Sequence, residues 1–184
     1  MSKCTYLKDL LRKYGAAGLV VKYIEKRHNP IDRAYRREWQ KYRLDGDGIA
    51  AHKLLASKLA YRPLVSIVVP LYHTNLVMFE EMVESVRRQT YDKWELLLLD
   101  GSKEAYASEL ETIVCGMADE RIRYQKLPQN GGISENTNAG LRIARGEYIA
   151  LLDHDDLLAH DALYEMILRI NEERRVGEAP LMLY

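Results

Sequence analysis

Four short apolar runs, separated by segments of helical spacing, limit what this chain can fold into. Val65-Ser66-Ile67-Val68-Val69 is rich in β-branched residues and reads as a buried strand that Pro70 stops. Trp94 to Leu99 reads as a second strand, Arg121 to Tyr124 as a short third, and Glu147 to Leu152 as a short buried fourth. Helices are predicted between them, over about 76–89, 104–117 and 134–144, and another at about 162–172. In the first of these, Met78, Phe79, Met82, Val83 and Val86 form the apolar face. Strands alternating with helices make βαβ units. The predicted class is therefore α/β, a Rossmann-like, mainly parallel sheet with helices on both faces.

The chain has 184 residues, enough for one domain with a real core. Its net charge of zero hides a split. Residues 1–62 carry 15 Lys+Arg against 6 Asp+Glu, and residues 63–184 carry 12 against 21. That split, and the change of character at Arg62-Pro63, divide the chain into a basic helical N-terminal extension, 1–62, and an α/β domain, 63–184. In the extension, Leu7, Leu10, Leu11, Tyr14, Val21 and Ile24 follow helical spacing to the break at Asn29-Pro30. A second helix is expected through Arg33 to Tyr42, and a third from about Ile49 to Leu59. Asp45-Gly46-Asp47 reads as a Gly-punctuated turn. Two readings of this basic, tyrosine-rich part stand: a helical face packed on the main domain, or a peripheral contact with an anionic membrane surface. No nucleic-acid-binding module is recognisable, and no nucleic-acid partner is expected.

No apolar run approaches the roughly 18 residues that span a bilayer, and Met1 to Lys13 lacks the apolar core of a signal peptide. The two cysteines, Cys4 and Cys115, have no metal-type spacing. A reducing, cytoplasmic setting is expected, with the inner face of the plasma membrane as the peripheral alternative.

Chemistry concentrates where the strands end. In an open parallel sheet, ligands bind outside the carboxyl ends of the strands. Asp153, Asp155 and Asp156 arrive within four positions after Leu152. Clustered carboxylates repel one another unless a cation neutralises them, and Mg2+ or Mn2+ bound to a phosphate-rich ligand does so. Asp156 reads as structural, because Leu157 opens another apolar segment. Pro70-Leu71-Tyr72 and Asp100-Gly101-Ser102 follow two other strands, and Gly131-Gly132 before the 134–144 helix lets the backbone approach a ligand.

These segments resemble family 2 glycosyltransferases of the GT-A fold. Ser66 to Tyr72, Ser85-Val86-Arg87-Arg88-Gln89-Thr90-Tyr91 and Glu95 to Ser102 are similar to the family's opening, and Asn130 to Ser134, Asn138-Ala139-Gly140 and Ala144 to Ile149 continue it in order up to the Asp-x-Asp. The resemblance covers residues 63–184. It implies that Pro70 and Tyr72 lie against a nucleotide base whose ring N–H donates to Asp100, with Ser102 nearby. It adds Gly132 and Asn138 to the nucleotide-sugar contacts. Asp153 would hold the ribose or the metal shell, and Asp155 the Mn2+ or Mg2+ that bridges the diphosphate. His73 stands where many members carry Asn, and Thr137 where many carry Arg.

The implied activity is metal-dependent transfer of a sugar from a nucleotide diphosphate, with a UDP-sugar the expected donor. The acceptor would be a hydroxyl of a surface polysaccharide or lipid-linked glycan, and an inverting course is expected. The family's general base lies well beyond the Asp-x-Asp, so it is expected downstream of residue 184. Leu181-Met182-Leu183-Tyr184 looks like the start of another strand, which predicts a chain truncated before its acceptor half. A dinucleotide-dependent oxidoreductase would need G-x-G-x-x-G after the first strand, where Pro-Leu-Tyr-His-Thr-Asn stands. A nucleotidyltransferase would need a basic Gly-rich loop there. A non-catalytic nucleotide-binding or interaction module is the alternative the sequence leaves open.

Overall fold

The structure, a computed structural model, describes residues 44–177. The helices expected over 4–27 and 33–42 and the run Leu181 to Tyr184 lie outside the described residues. The described elements are α1 (Gly46–Ser57), β1 (Val65–Leu71), α2 (Leu76–Arg87), β2 (Trp94–Asp100), α3 (Glu104–Gly116), β3 (Ile122–Lys126), α4 (Gly132–Ile143), β4 (Tyr148–Leu151) and α5 (Ala162–Arg175).

All four strands pair in parallel, in the order β3-β2-β1-β4. Side-chain alternation sends Val65, Ile67, Val69 and Leu71 to one face, where they pack with Phe79, Met82 and Val83 of α2, Leu110 of α3 and Leu163 and Ile167 of α5. Val68, Leu97 and Leu99 face the other way, onto Ala139 and Ile143 of α4. Helices thus cover both faces, as the α/β reading expects. Each fully buried Val, Leu or Phe here contributes about 1.5–3 kcal/mol. Helix α4 lies so close to the sheet that a Cβ on Gly140 would stand 2.4 Å from Val68 Cγ1 and 2.8 Å from Leu99 Cδ2.

Three local expectations are corrected. Pro70 does not stop β1, which runs on to Leu71 with Pro70 in register with Leu99. The Val65 N–H and Leu71 C=O bond towards β2, and the Val68 C=O accepts from Leu152 on the β4 side. By alternation position 70 also faces the β4 side, past the last β4 pair at Leu151, so the missing N–H costs no ladder bond.

Asp45-Gly46-Asp47 is a helix start, not a free turn. The Asp45 side chain accepts from the Gly48 N–H at 2.8 Å, and Asp47 sits in the first turn of α1. A capping Asp and an Asx-turn use the same side-chain-to-backbone bond.

The fourth strand is not buried throughout. It pairs with β1 alone among the described strands, and its pattern alternates, leaving Ile149 and Leu151 exposed on the α4 side. Tyr148 and Ala150 pack on the opposite core.

The described residues, 44–177, belong to one compact unit. Helix α1 is part of it, and Tyr61 is tied to α5 by two bonds with Asn171, N–H to Oδ1 and Nδ2 to C=O, each 2.9 Å. A buried Glu95 links β1, β2 and the turn before β4. It accepts from Ser66 Oγ and the Arg145 N–H, both at 2.7 Å, and from Arg123 at 3.2 Å.

Candidate functional site

Strand β1 is followed in space by β2 on one side and β4 on the other, so the direction of winding reverses between β1 and β4. A crevice outside the carboxyl ends of the strands is expected at such a switch point. A cleft of about 250 Å3 lies there. Val68 and Pro70 of β1 form its floor, Ile133 and Thr137 of α4 one wall, and Leu151, Leu152, Asp153 and Asp156 the other. The N-terminal end of α4 borders the cleft without a bond from its N-cap residue, and past Gly132, whose N–H bonds Asn130, its first-turn N–H groups and the positive end of the helix dipole suit an anion. Gly132 there has φ +81°, a left-handed conformation that favours glycine.

Behind the cleft, the loops after β1 and β2 are locked together. Asp100 is fully buried, and its carboxylate accepts the Ser102 N–H at 2.7 Å and the Tyr124 hydroxyl at 2.6 Å. Burial, then the hydrogen bond to Asp100, pushes the Tyr124 hydroxyl pKa far up, so it stays protonated as a donor. The Ser102 hydroxyl accepts the backbone N–H of His73 at 2.8 Å. His73 has φ +48°, unusual for a side chain with a Cβ. That turn stacks its ring between Tyr72, at 4.2 Å and 9°, and Tyr106 of α3, at 4.5 Å and 23°. Tyr72 and Tyr106 remain about half exposed, so the stack offers an aromatic surface at the end of β1.

A third lock joins the loop after β3 to α4. The buried Asn136 accepts from the Gly131 N–H at 3.1 Å and donates to Asn130 Oδ1 at 3.0 Å. Asn130 Oδ1 also accepts the Gly132 N–H at 2.9 Å. Sequence reasoning passed over Asn136. Its signal was an Asn inside an amphipathic helix, on the face that also carries Gly140 and Ile143.

The predicted site residues therefore fall into groups. Pro70 and Asp153 line one cleft, Gly132 opens the helix beside it, and Tyr72 heads the aromatic stack. Asp100 and Ser102 sit buried beneath that stack. Asp155 is exposed in the loop after β4, with His154 Nδ1 4.0 Å from its carboxylate. Asn138 is exposed on α4 and is not brought to the cleft, whose wall is made by Thr137, one residue earlier. Asp156, read as structural from the sequence, faces the cleft. Its N–H bonds the Asp153 C=O at 3.3 Å, and α5 begins only at Ala162.

The loop's chemistry suits a hard divalent ion. Asp153, Asp155 and Asp156 are exposed, and among the described residues no side-chain donor is bonded to the carboxylates of Asp153 or Asp156. Oxygen ligands free to turn inward are what Mg2+ or Mn2+ requires. A separate His52, Asp161 and Glu165 grouping, with donor atoms within 4.8 Å of one another, lies outside this loop.

Known proteins are similar to this chain in sequence and in fold. Glycosyltransferase GlyG of Streptococcus pneumoniae is 31% identical over 110 residues, 60% of this chain and 36% of that protein. The uncharacterized glycosyltransferase EpsJ of Bacillus subtilis is 36% identical over 121 residues, 65% of this chain and 33% of that protein. The chain thus spans about a third of the length of these relatives. Among solved structures, the mannosyltransferase PcManGT from Pyrobaculum calidifontis, in complex with GDP-Man and Mn2+, has a TM-score of 0.53 at 23% identity, covering 65% of this chain and 39% of that one. S. aureus TarS in complex with UDP-GlcNAc also has a TM-score of 0.53 at 23% identity, covering 60% of this chain and 32% of that one. These two likenesses concern the fold. Residues 66–181 match the model of glycosyl transferase family 2, more than half of the chain, and the protein belongs to that family.

Proposed function

We propose that this chain is the donor-binding part of an inverting glycosyltransferase, and that its cleft receives a nucleoside diphosphate sugar with a UDP-sugar as the favoured donor. The observation that carries this reading is the cleft at the β1/β4 switch point, with carboxylates on one wall and the uncapped start of α4 at its border. The exposed Tyr72 ring supplies a face for the base, and Pro70 lies on the cleft floor. Asp100 keeps a second lone pair on each oxygen and, being fully buried, would accept the base N–H only once the stack above it opens, while Ser102 holds its loop. The first-turn backbone N–H groups of α4 beyond Gly132, whose own N–H is bonded to Asn130, would face the diphosphate.

Asp153 and Asp155 would hold Mn2+ or Mg2+. The ion, when bound, supplies Lewis-acid stabilisation of the charge that develops on the leaving diphosphate. The chain's own residues position the donor. The acceptor in this reading is a hydroxyl of a surface polysaccharide or lipid-linked glycan. Residues 1–62 are the part suited to peripheral contact with an anionic cytoplasmic membrane face. Among the described residues, no helix is long and apolar enough to cross a membrane.

The test is calorimetric titration of UDP into the folded chain, with Mn2+ and with EDTA, beside Asp155→Ala. Binding that needs the metal and is lost in the variant supports the donor site. A folded chain that ignores UDP, GDP and dTDP alike would overturn it in favour of an interaction module.

A further inference from the structure

We propose that His52, Asp161 and Glu165 form a Zn2+ site, separate from the Asp153–Asp156 loop, that ties α1 to the start of α5. The three side chains come from two elements far apart in sequence. His52 lies midway along α1, Asp161 is the N-cap residue of α5, and Glu165 is in the first turn of α5. Their donor atoms all lie within 4.8 Å of one another, and His52 Nδ1 stands 4.0 Å from Asp161 Oδ2.

Two further observations show that these groups are not occupied with one another. His52 Nδ1 is buried, yet it has no hydrogen-bond partner. At 4.0 Å the Asp161 oxygen is too distant to be one. A buried ring nitrogen without a partner is costly, so an apolar replacement would be favoured unless something uses it. Asp161, for its part, makes no capping bond with its own helix, although an N-cap Asp ordinarily does. Its carboxylate is turned towards the imidazole instead. The His52 ring is held in place by Tyr164, with centroids 4.8 Å apart.

The donor set selects the metal. One imidazole nitrogen and two carboxylates suit Zn2+, with water in the fourth position, better than the all-oxygen preference of Mg2+ or Ca2+. Two donors at roughly 2.0–2.2 Å from one zinc stand about 3.4 Å apart in a tetrahedron. The exposed Glu165 can turn to close the set.

The site lies away from the cleft. The His160 C=O accepts the Thr90 N–H at 2.7 Å, just past the C-terminal end of α2. The cleft lies at the carboxyl ends of the strands, where α2 begins, and twelve helical residues span about 18 Å. The ion would therefore bridge α1 and α5 without touching donor-site groups.

The experiment uses the full chain, stripped with EDTA and dialysed, titrated with Zn2+ against a chromogenic chelator while melting is followed by circular dichroism. Wild type and Asp155→Asn are expected to take up one tight equivalent and to melt higher with Zn2+. His52→Gln and Glu165→Gln are expected to lose at least about tenfold in affinity, since even outer-shell changes cost roughly 10–100-fold. If His52→Gln does not fold, Glu165→Gln, at an exposed position, decides. Affinity unchanged in the folded variants, a wild type that binds no Zn2+, or loss in Asp155→Asn alone would overturn the site.

Discussion

The Ser102 hydroxyl accepts the backbone N–H of His73 at 2.8 Å, so the loop after β2 holds the loop after β1 in a left-handed turn. Ser102 in turn is held by Asp100, and Asp100 by Tyr124. The aromatic stack of Tyr72, His73 and Tyr106 therefore rests on a chain of buried bonds, not on loop preference.

Ser102→Ala should consequently destabilise the fold by about 1–3 kcal/mol, because the His73 N–H loses its acceptor in a half-buried setting. The Ser102 N–H bond to Asp100 survives the change, so the effect is local. Urea denaturation gives the stability change, and UDP titration should show weaker binding as the Tyr72 ring loses its fixed place.

Gly140→Ala separates helix propensity from packing. Propensity alone favours Ala in a helix interior by about 1 kcal/mol. The new Cβ, however, would stand 2.4 Å from Val68 Cγ1 and 2.8 Å from Leu99 Cδ2, both in the core. Overpacking of that kind costs about 1–3 kcal/mol, and we expect net destabilisation by denaturant melts.

The Glu95 carboxyl should give the fold an acid-sensitive joint. Burial alone would raise its pKa, but hydrogen bonds from Ser66, the Arg145 N–H and Arg123 outweigh burial and hold it below the ordinary value of 4.5. The folded value is depressed, so the stabilisation is complete above pH 4.5 and is lost as pH falls through the folded value. Glu95→Gln should be less stable than wild type at pH 7, and the gap should shrink as pH drops below 4.5. Equal pH slopes in the two proteins would show that Glu95 does not carry the effect.

How much of this was legible in the sequence depended on whether one residue's chemistry has one geometric meaning. Runs such as Val65 to Val69 and Trp94 to Leu99 do, since β-branched and Leu-rich segments of that length bury as parallel strands. The run before Asp153 does not. An apolar run cannot report that a strand has, among the described strands, one neighbour, and Ile149 and Leu151 are exposed there. Asp45 was ambiguous in the same way, because a cap and a turn use one hydrogen bond. Pro70 stops a strand only where its N–H is needed, and that depends on which strand lies beside it. The bond between Ser102 and His73 runs between loops whose meeting is set by topology, beyond the reach of local pattern.

The cleft wall itself gives the sharpest comparison. Thr137 and Asp153 face the same space, whereas Asn138, the next residue on α4, is exposed outside it. Successive helix residues differ by about 100° in direction, so only one of the two can serve this wall. Asp153→Asn and Asp156→Asn each remove a carboxylate from the cleft and should lower Mn2+-supported UDP affinity by at least about tenfold, or 1.4 kcal/mol. Asn138→Ala should stay within about twofold of wild type, well under 1 kcal/mol. Calorimetry at fixed ionic strength measures all three. Comparable losses from Asn138→Ala and Asp153→Asn would mean that the donor lies on the outer flank of α4 and not in this cleft.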